Sequence, residues 1–192
     1  GMFSYHSIPG LGMDHPYYSP WYEWPLIIKP MWYASAYRVP EGWSYSIFCF
    51  GTPLVWLPGL AAILYVLLRC VDSHLYDLGS HRLLLHLVPR QTSLSRYFVA
   101  IGFLAQFLPW VLVPRGTYIY HYFASVPFII LATCLMWQKL EDWKKGFGKW
   151  AMAVQVVLAA ALFAAFFPYI SGIPAPKAWL DAMKWFPNWL WY

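Results

Sequence analysis

The sequence predicts an all-α membrane protein with four transmembrane helices, an aromatic and proline-rich segment ahead of them and a short tail behind. Three observations carry that expectation. Of 192 residues, 60% are hydrophobic and only 11% charged, whereas a soluble domain carries about a quarter charged residues. Mean hydropathy is +0.47. Four stretches of 17 to 22 residues contain no Asp, Glu, Lys or Arg, which at about 1.5 Å of helical rise per residue matches a hydrocarbon core of about 30 Å.

The elements follow in order. Residues 1–46 form an outward segment whose five prolines from Pro9 to Pro30 forbid a long helix. Its many Trp and Tyr rings either pack on the bilayer surface or wall a cavity for an amphiphilic substrate. The helical domain covers 47–170, with spans at about 47–68, 97–113, 118–137 and 150–170. Residues 171–192 are too short, and too broken by Pro187, for a fifth span; with Trp179, Trp185, Trp189, Trp191 and Tyr192 they are expected to lie in the interface. No cleavable signal peptide is recognisable at the start, and the chain reads as a fragment or processed piece.

Charge sets the orientation. Arg69, Arg82, Arg90 and Arg96 fall between the first two spans, and Lys139, Lys144, Lys145 and Lys149 between the last two. Eight of thirteen basic residues thus share one side, which the positive-inside rule assigns to the cytoplasm. The same bias explains the net charge of +5, and with no recognition helix or basic-aromatic stripe a nucleic-acid partner is not expected. Cys49, Cys70 and Cys134 are odd in number and lie in or beside apolar runs, so they read as buried thiols rather than disulfides or metal ligands.

Two stretches carry chemistry. The first is HPYYSPWYEWPL from His15, followed by PMWY from Pro30. The second is RGTYIYHYFASVPF from Arg115. Arg115 sits on a four-residue outward turn, Pro114 to Thr117, and His121 lies within the third apolar run, where an ionisable residue is a functional hypothesis. A guanidinium pairs two parallel hydrogen bonds with a phosphate, so the two residues together suit an anion at the membrane face. The alternatives are a snorkelling turn arginine and a histidine bonded to a neighbouring helix.

These stretches resemble the C-terminal four-span region of the protein O-mannosyltransferases, membrane enzymes of the GT-C class. The first is similar to that family's His-Pro-Tyr-x-Ser-x-Trp-x-x-Trp-Pro signature, met by His15, Pro16, Tyr17, Ser19, Trp21, Trp24 and Pro25. The second resembles its Arg-x-x-Phe-x-Tyr-His-Tyr-x-Pro-x-x-Pro-Phe pattern, met by Arg115, Tyr120, His121, Tyr122, Pro127 and Phe128, with Tyr118 for the phenylalanine and Ala124 for the first proline. The resemblance implies transfer of mannose or another hexose from a polyprenyl- or dolichyl-phosphate donor to Ser or Thr of a translocated protein, with inversion and no cofactor or obligatory metal. It implies donor contacts at Arg115, His121, Tyr120, Tyr122, His15, Tyr17, Trp21 and Trp24. It places the catalytic base in an N-terminal half outside these residues, so no catalytic residue is assigned here, and that half or a partner subunit is expected beside this region. Asp14, Glu23, Glu41 and Asp181 match no motif for the base. A non-catalytic scaffold or accessory subunit that kept this fold is the alternative. The setting is a multi-pass membrane protein, of the bacterial cell membrane or, in a eukaryote, the endoplasmic reticulum.

Overall fold

A computed structural model describes residues 8–35, 39–77 and 94–189. Arg82, Arg90, Trp191 and Tyr192 lie outside the described residues. The described residues are mainly helical, with four long helices among them: α1 (Pro53–Asp77), α2 (Leu94–Phe107), α3 (Val126–Trp143) and α4 (Phe147–Ser171). Together with their 3-10 extensions, Leu108–Leu112 after α2 and Ile119–Ser125 before α3, all four are long and apolar enough to cross a membrane. The protein is a multi-pass membrane protein.

The bundle is centred on α3, which packs on α1, α2 and α4. Close approach depends on small residues. A Cβ at Gly59 of α1 would come within 2.9 Å of the Ile129 side chain, and one at Gly102 of α2 within 2.1 Å of the Phe128 ring. α4 is apolar around its whole circumference and mostly exposed, as befits a helix whose surroundings are lipid. Its N-terminus follows a tight turn at Lys144–Gly146, where the Glu141 carboxylate accepts from the N–H groups of Gly146 (2.8 Å) and Lys149 (3.1 Å). Those donors otherwise lack partners, and a carboxylate there also complements the helix dipole.

Among the described residues, the strands and the short helices near both ends of the chain gather at the opposite end of the bundle. Strands β1 (Met31–Ser35) and β3 (Ser46–Cys49) pair antiparallel, and β2 (Trp43–Ser44) pairs with β4 (Ala175–Pro176). The 3-10 helix Trp21–Leu26 precedes β1, and the short helix α5 (Lys177–Ala182) follows β4. Phe48 packs edge-on to Tyr169, and Phe50 to Phe166, so the strands sit on the last turns of α4.

Several boundaries differ from the sequence expectation, each for a physical reason. Ile47–Cys49 opens the first apolar run but is a strand: Ser46 and Phe48 are buried while Ile47 and Cys49 are partly exposed, a period of two that pairs with β1. The first helix instead runs on beyond Leu68, so that Arg69, Asp72 and Ser73, placed by charge in a loop, are buried helical residues. The tail is not confined to the surface. Trp189 is fully buried against Phe50, Phe166 and Trp185, and its indole N–H donates to the Ile27 carbonyl at 2.8 Å. Ile27 itself has φ of 54°, a left-handed conformation that a β-branched residue rarely adopts.

Candidate functional site

The site begins with the two signature stretches, which the fold clamps together. Gly10 N–H donates to the Pro114 carbonyl (2.8 Å), Gly116 N–H to Leu11 (2.6 Å), and Ser19 N–H to Thr117 (3.0 Å). Thr117 Oγ1 returns a bond to the Ser19 carbonyl at 2.9 Å. A Cβ at Gly116 would lie 2.4 Å from the carbonyl oxygen of Gly12, which itself has φ of 75°. Glycine at both positions lets two backbones touch, and the turn carrying Arg115 is thereby held on one side mainly by main-chain contacts.

The 3-10 helix after that turn decides which side chains face outward. With three residues per turn, positions i and i+3 eclipse. Ile119, Tyr122 and Ser125 are accordingly buried, whereas Tyr120 and Phe123 share an exposed face. His121 lies between these faces, half-buried, its ring 4.1 Å by centroid from Trp110, 4.4 Å from Tyr120 and stacked on Trp24 at 5.8 Å. Its Nδ1 lies 3.1 Å from the Tyr118 N–H and 2.9 Å from the Tyr118 carbonyl. The backbone of one residue therefore fixes the ring, leaving Nε2 as the nitrogen for a ligand.

Trp24 supports this from below. It is fully buried, its indole N–H bonded to the Ser19 carbonyl (3.0 Å) and hydroxyl (3.1 Å), and its ring packs edge-on against Trp110. His15 is exposed; it meets Tyr118 edge-on at 5.3 Å and takes the Tyr17 N–H on its own Nδ1. Tyr17 stacks on Trp32 at 5.9 Å, and burial pushes its phenol above the ordinary range. Arg115 is partly exposed and within electrostatic range of Tyr120 and His121.

The residues implied by the signatures thus separate. Tyr120, His121 and His15 gather around the Tyr118 backbone and ring, with Arg115 within electrostatic range of the first two. Tyr122 is fully buried among Trp56, Phe103 and Phe107, and Trp24 is equally enclosed, so both shape the site without offering a face to a ligand. Trp21 turns away, edge-on to Phe107 of α2, and Tyr17 belongs with Trp32 and Phe48 on the strand side.

Among the residues not singled out by the sequence are Tyr33 and Cys49. They are hydrogen-bonded partners close to Tyr120, and burial pushes both the phenol and the thiol up. Only the pairing of β1 with β3 places them there. Of the carboxylates at this end, Asp14 and Glu41 are exposed and Glu23 is partly buried, which raises its pKa despite the nearby Lys29.

The family model that describes the C-terminal four-transmembrane region of protein O-mannosyltransferase matches residues 2–189. The chain belongs to this family. Its curated relatives include the polyprenol-phosphate-mannose–protein mannosyltransferases of Mycolicibacterium smegmatis, 24% identical over 190 residues, and of Corynebacterium glutamicum, 26% identical over 189. In both comparisons 93% of this chain aligns to 33% of the relative, so it spans about a third of those mannosyltransferases. Among solved structures, the Saccharomyces cerevisiae protein O-mannosyltransferase Pmt1-Pmt2 complex bound to the sugar donor shares the fold. Its TM-score is 0.67 at 19% identity, covering 93% of this chain and 24% of that one. These relatives include bacterial proteins, and the four apolar helices of this chain give it a multi-pass membrane setting.

Proposed function

We propose that this chain is the C-terminal membrane portion of a protein O-mannosyltransferase that takes a hexose from a polyprenyl-phosphate donor and delivers it to Ser or Thr of translocated proteins. One observation carries the reading: the turn bearing Arg115 is locked by backbone contacts to the His15 loop, and Tyr120 and His121 are arranged around it.

In such a transfer the acceptor hydroxyl attacks the anomeric carbon as the polyprenyl phosphate departs, and negative charge grows on that phosphate. A fixed guanidinium beside it stabilises the leaving group more in the transition state than in the ground state, because its position needs no reorganisation. The neutral imidazole adds one hydrogen bond. The general base that takes the hydroxyl proton belongs to the preceding part of the enzyme, supplied by the same chain or by a partner subunit.

On this reading the site faces outward, the Lys144–Gly146 turn faces the cytoplasm, and the described parts of the N-terminal segment and of the tail dress the outer end of the helical domain. The test is mannose transfer by the full-length protein from polyprenyl-phosphate-mannose to a Ser/Thr peptide, with inversion followed by NMR of the product. Transfer supports the reading; binding of the donor without transfer, by a protein containing its N-terminal part, identifies a scaffold.

A further inference from the structure

Pro30-Met31-Trp32-Tyr33 leads into β1, and the pairing of that strand separates its two large rings. β1 pairs Met31 with Cys49 and Trp32 with Phe48, passes over Tyr33, and resumes with Ala34 opposite Ile47. Tyr33 is therefore the extra residue of a β-bulge, an irregularity that re-aims a side chain and recurs beside active sites. Successive strand residues take opposite faces. Trp32 goes to the Phe48 face, where it stacks on Tyr17 at 5.9 Å and Tyr17 meets Phe48 edge-on. Tyr33 goes to the Cys49 face, where its phenol is hydrogen-bonded to the Cys49 thiol. The residue stays 52% exposed, so that bond holds the phenol without enclosing the ring.

Tyr120 joins Tyr33 to the Arg115 turn. Tyr33 and Cys49 are both within electrostatic range of Tyr120, and Tyr120 is within that range of Arg115. Tyr120 is itself exposed and stacked on Tyr118 at 5.6 Å. The order is thus a guanidinium, an exposed phenol, then a second exposed phenol tethered to a thiol. Beyond Arg115 these groups are neutral, and each phenol both donates and accepts a hydrogen bond while offering an apolar ring. A sugar matches them, because it carries hydroxyls around an apolar ring face. In a hexosyl phosphate the sugar ring begins one oxygen away from phosphorus, so groups that bind the sugar must stand next to the one that binds the phosphate.

We infer that Tyr33 binds the hexose of the donor, its hydroxyl working beside that of Tyr120 on the sugar's hydroxyl groups while Arg115 holds the phosphate. The inference rests on the proposed function and adds a sugar-recognising residue from outside both signature patterns. A site built to bond a substrate hydroxyl rejects the analogue that lacks it. The polyprenyl phosphate left after transfer gives up this contact and therefore leaves more readily than the donor.

The experiment measures binding of polyprenyl-phosphate-mannose and of polyprenyl phosphate to the full-length protein in nanodiscs, as wild type and as Tyr33→Phe, Cys49→Ala and Arg115→Ala. Tyr33→Phe keeps the ring and removes only the hydroxyl. It should weaken binding of the mannosylated lipid about tenfold, as for loss of one hydrogen bond, and change binding of the bare phosphate less than about twofold. Among donors whose mannose lacks a single hydroxyl, one should bind wild type as weakly as the complete donor binds Tyr33→Phe, and lose nothing further in that variant. Cys49→Ala leaves the phenol present but untethered, so it should lose less than Tyr33→Phe and keep the dependence on that sugar hydroxyl. Arg115→Ala should weaken binding of both lipids.

Equal weakening of both lipids by Tyr33→Phe, weakening of neither, or an undiminished penalty for every deoxy donor in that variant overturns the inference. If Arg115→Ala still weakens both lipids in these cases, the proposed function stands and only the assignment of Tyr33 fails. If Arg115→Ala weakens neither, the proposed function fails and the inference falls with it.

Discussion

Gln155 of α4 donates a hydrogen bond from Nε2 to the carbonyl of Leu54 in α1, at 2.9 Å. In a regular helix that carbonyl would accept from the residue four positions on, but that residue is Pro58, which has no N–H. Trp137 of α3 completes the arrangement by donating its indole N–H to Gln155 Oε1 at 2.6 Å. Three helices thus meet at the one backbone acceptor that the proline orphans, the way a membrane protein satisfies a broken helical bond.

The first prediction follows directly. Gln155→Leu removes both bonds with little loss of volume and should lower stability by about 1–3 kcal/mol, the cost of an unsatisfied buried carbonyl. Pro58→Ala restores an N–H for Leu54, so in that background Gln155→Leu should cost clearly less. The measurement is a double-mutant cycle on unfolding in mild detergent. Equal costs in both backgrounds would mean that Gln155 acts only through its bond to Trp137.

Gly116 gives the second prediction. Gly116→Ala drives a methyl group into the Gly12 carbonyl, so the two loops must separate and the turn carrying Arg115 loses its support. The expected destabilisation is about 1–3 kcal/mol, with faster proteolysis between Gly10 and Thr117. Unchanged protease resistance would show that the contact is dispensable.

Part of the fold was legible in the sequence. The four spans follow from the uncharged runs, because lipid leaves no freedom about burying backbone polar groups, and both signature stretches lie at one end of the bundle. The rest depends on long-range packing. Apolarity alone cannot distinguish Ile47–Cys49 as a strand from the helix that follows; its partner β1 decides. Arg69 and Asp72 look like loop residues until their helix is seen to bury them. Trp189 resembles its interfacial neighbours, yet only it reaches the Ile27 carbonyl, 162 residues away. The outward-facing pair Tyr120 and Phe123 depends on a 3-10 rather than an α-helical period, a choice made by packing around Tyr122.

Orientation gives the third prediction, with Cys49, Cys70 and Cys134 first replaced by alanine or serine. Gly116 is unsuitable for a reporter cysteine because of its contact with Gly12. Leu112, 84% exposed beside the same turn, is preferable. A cysteine at 112 should react with an impermeant maleimide in intact cells, and one at Lys145 only after permeabilisation. The opposite pattern would invert the topology and place the Arg115 site in the cytoplasm.

Trp189 and Ile27 supply the fourth. Trp189→Phe keeps most of the buried ring but leaves the Ile27 carbonyl without its indole donor, which should cost about 1–3 kcal/mol. Loosening there should reach β1 through Lys29 and Pro30, raising hydrogen exchange in Met31–Ser35. Exchange unchanged in that strand would confine the tail's effect to its own packing.

The most direct test of the central claim is turnover of polyprenyl-phosphate-mannose by the full-length enzyme carrying Arg115→Ala, Arg115→Lys or His121→Ala, at matched expression and stability. Arg115→Ala should lose about 2.7–4 kcal/mol of transition-state stabilisation, roughly 10²- to 10³-fold in kcat, as for removal of an oxyanion donor. Arg115→Lys should recover part of that loss, since it restores charge without the planar fork, and His121→Ala should fall less far. Near-normal turnover and donor affinity in Arg115→Ala would contradict the account and leave Arg115 a turn residue that only reaches for the headgroup layer.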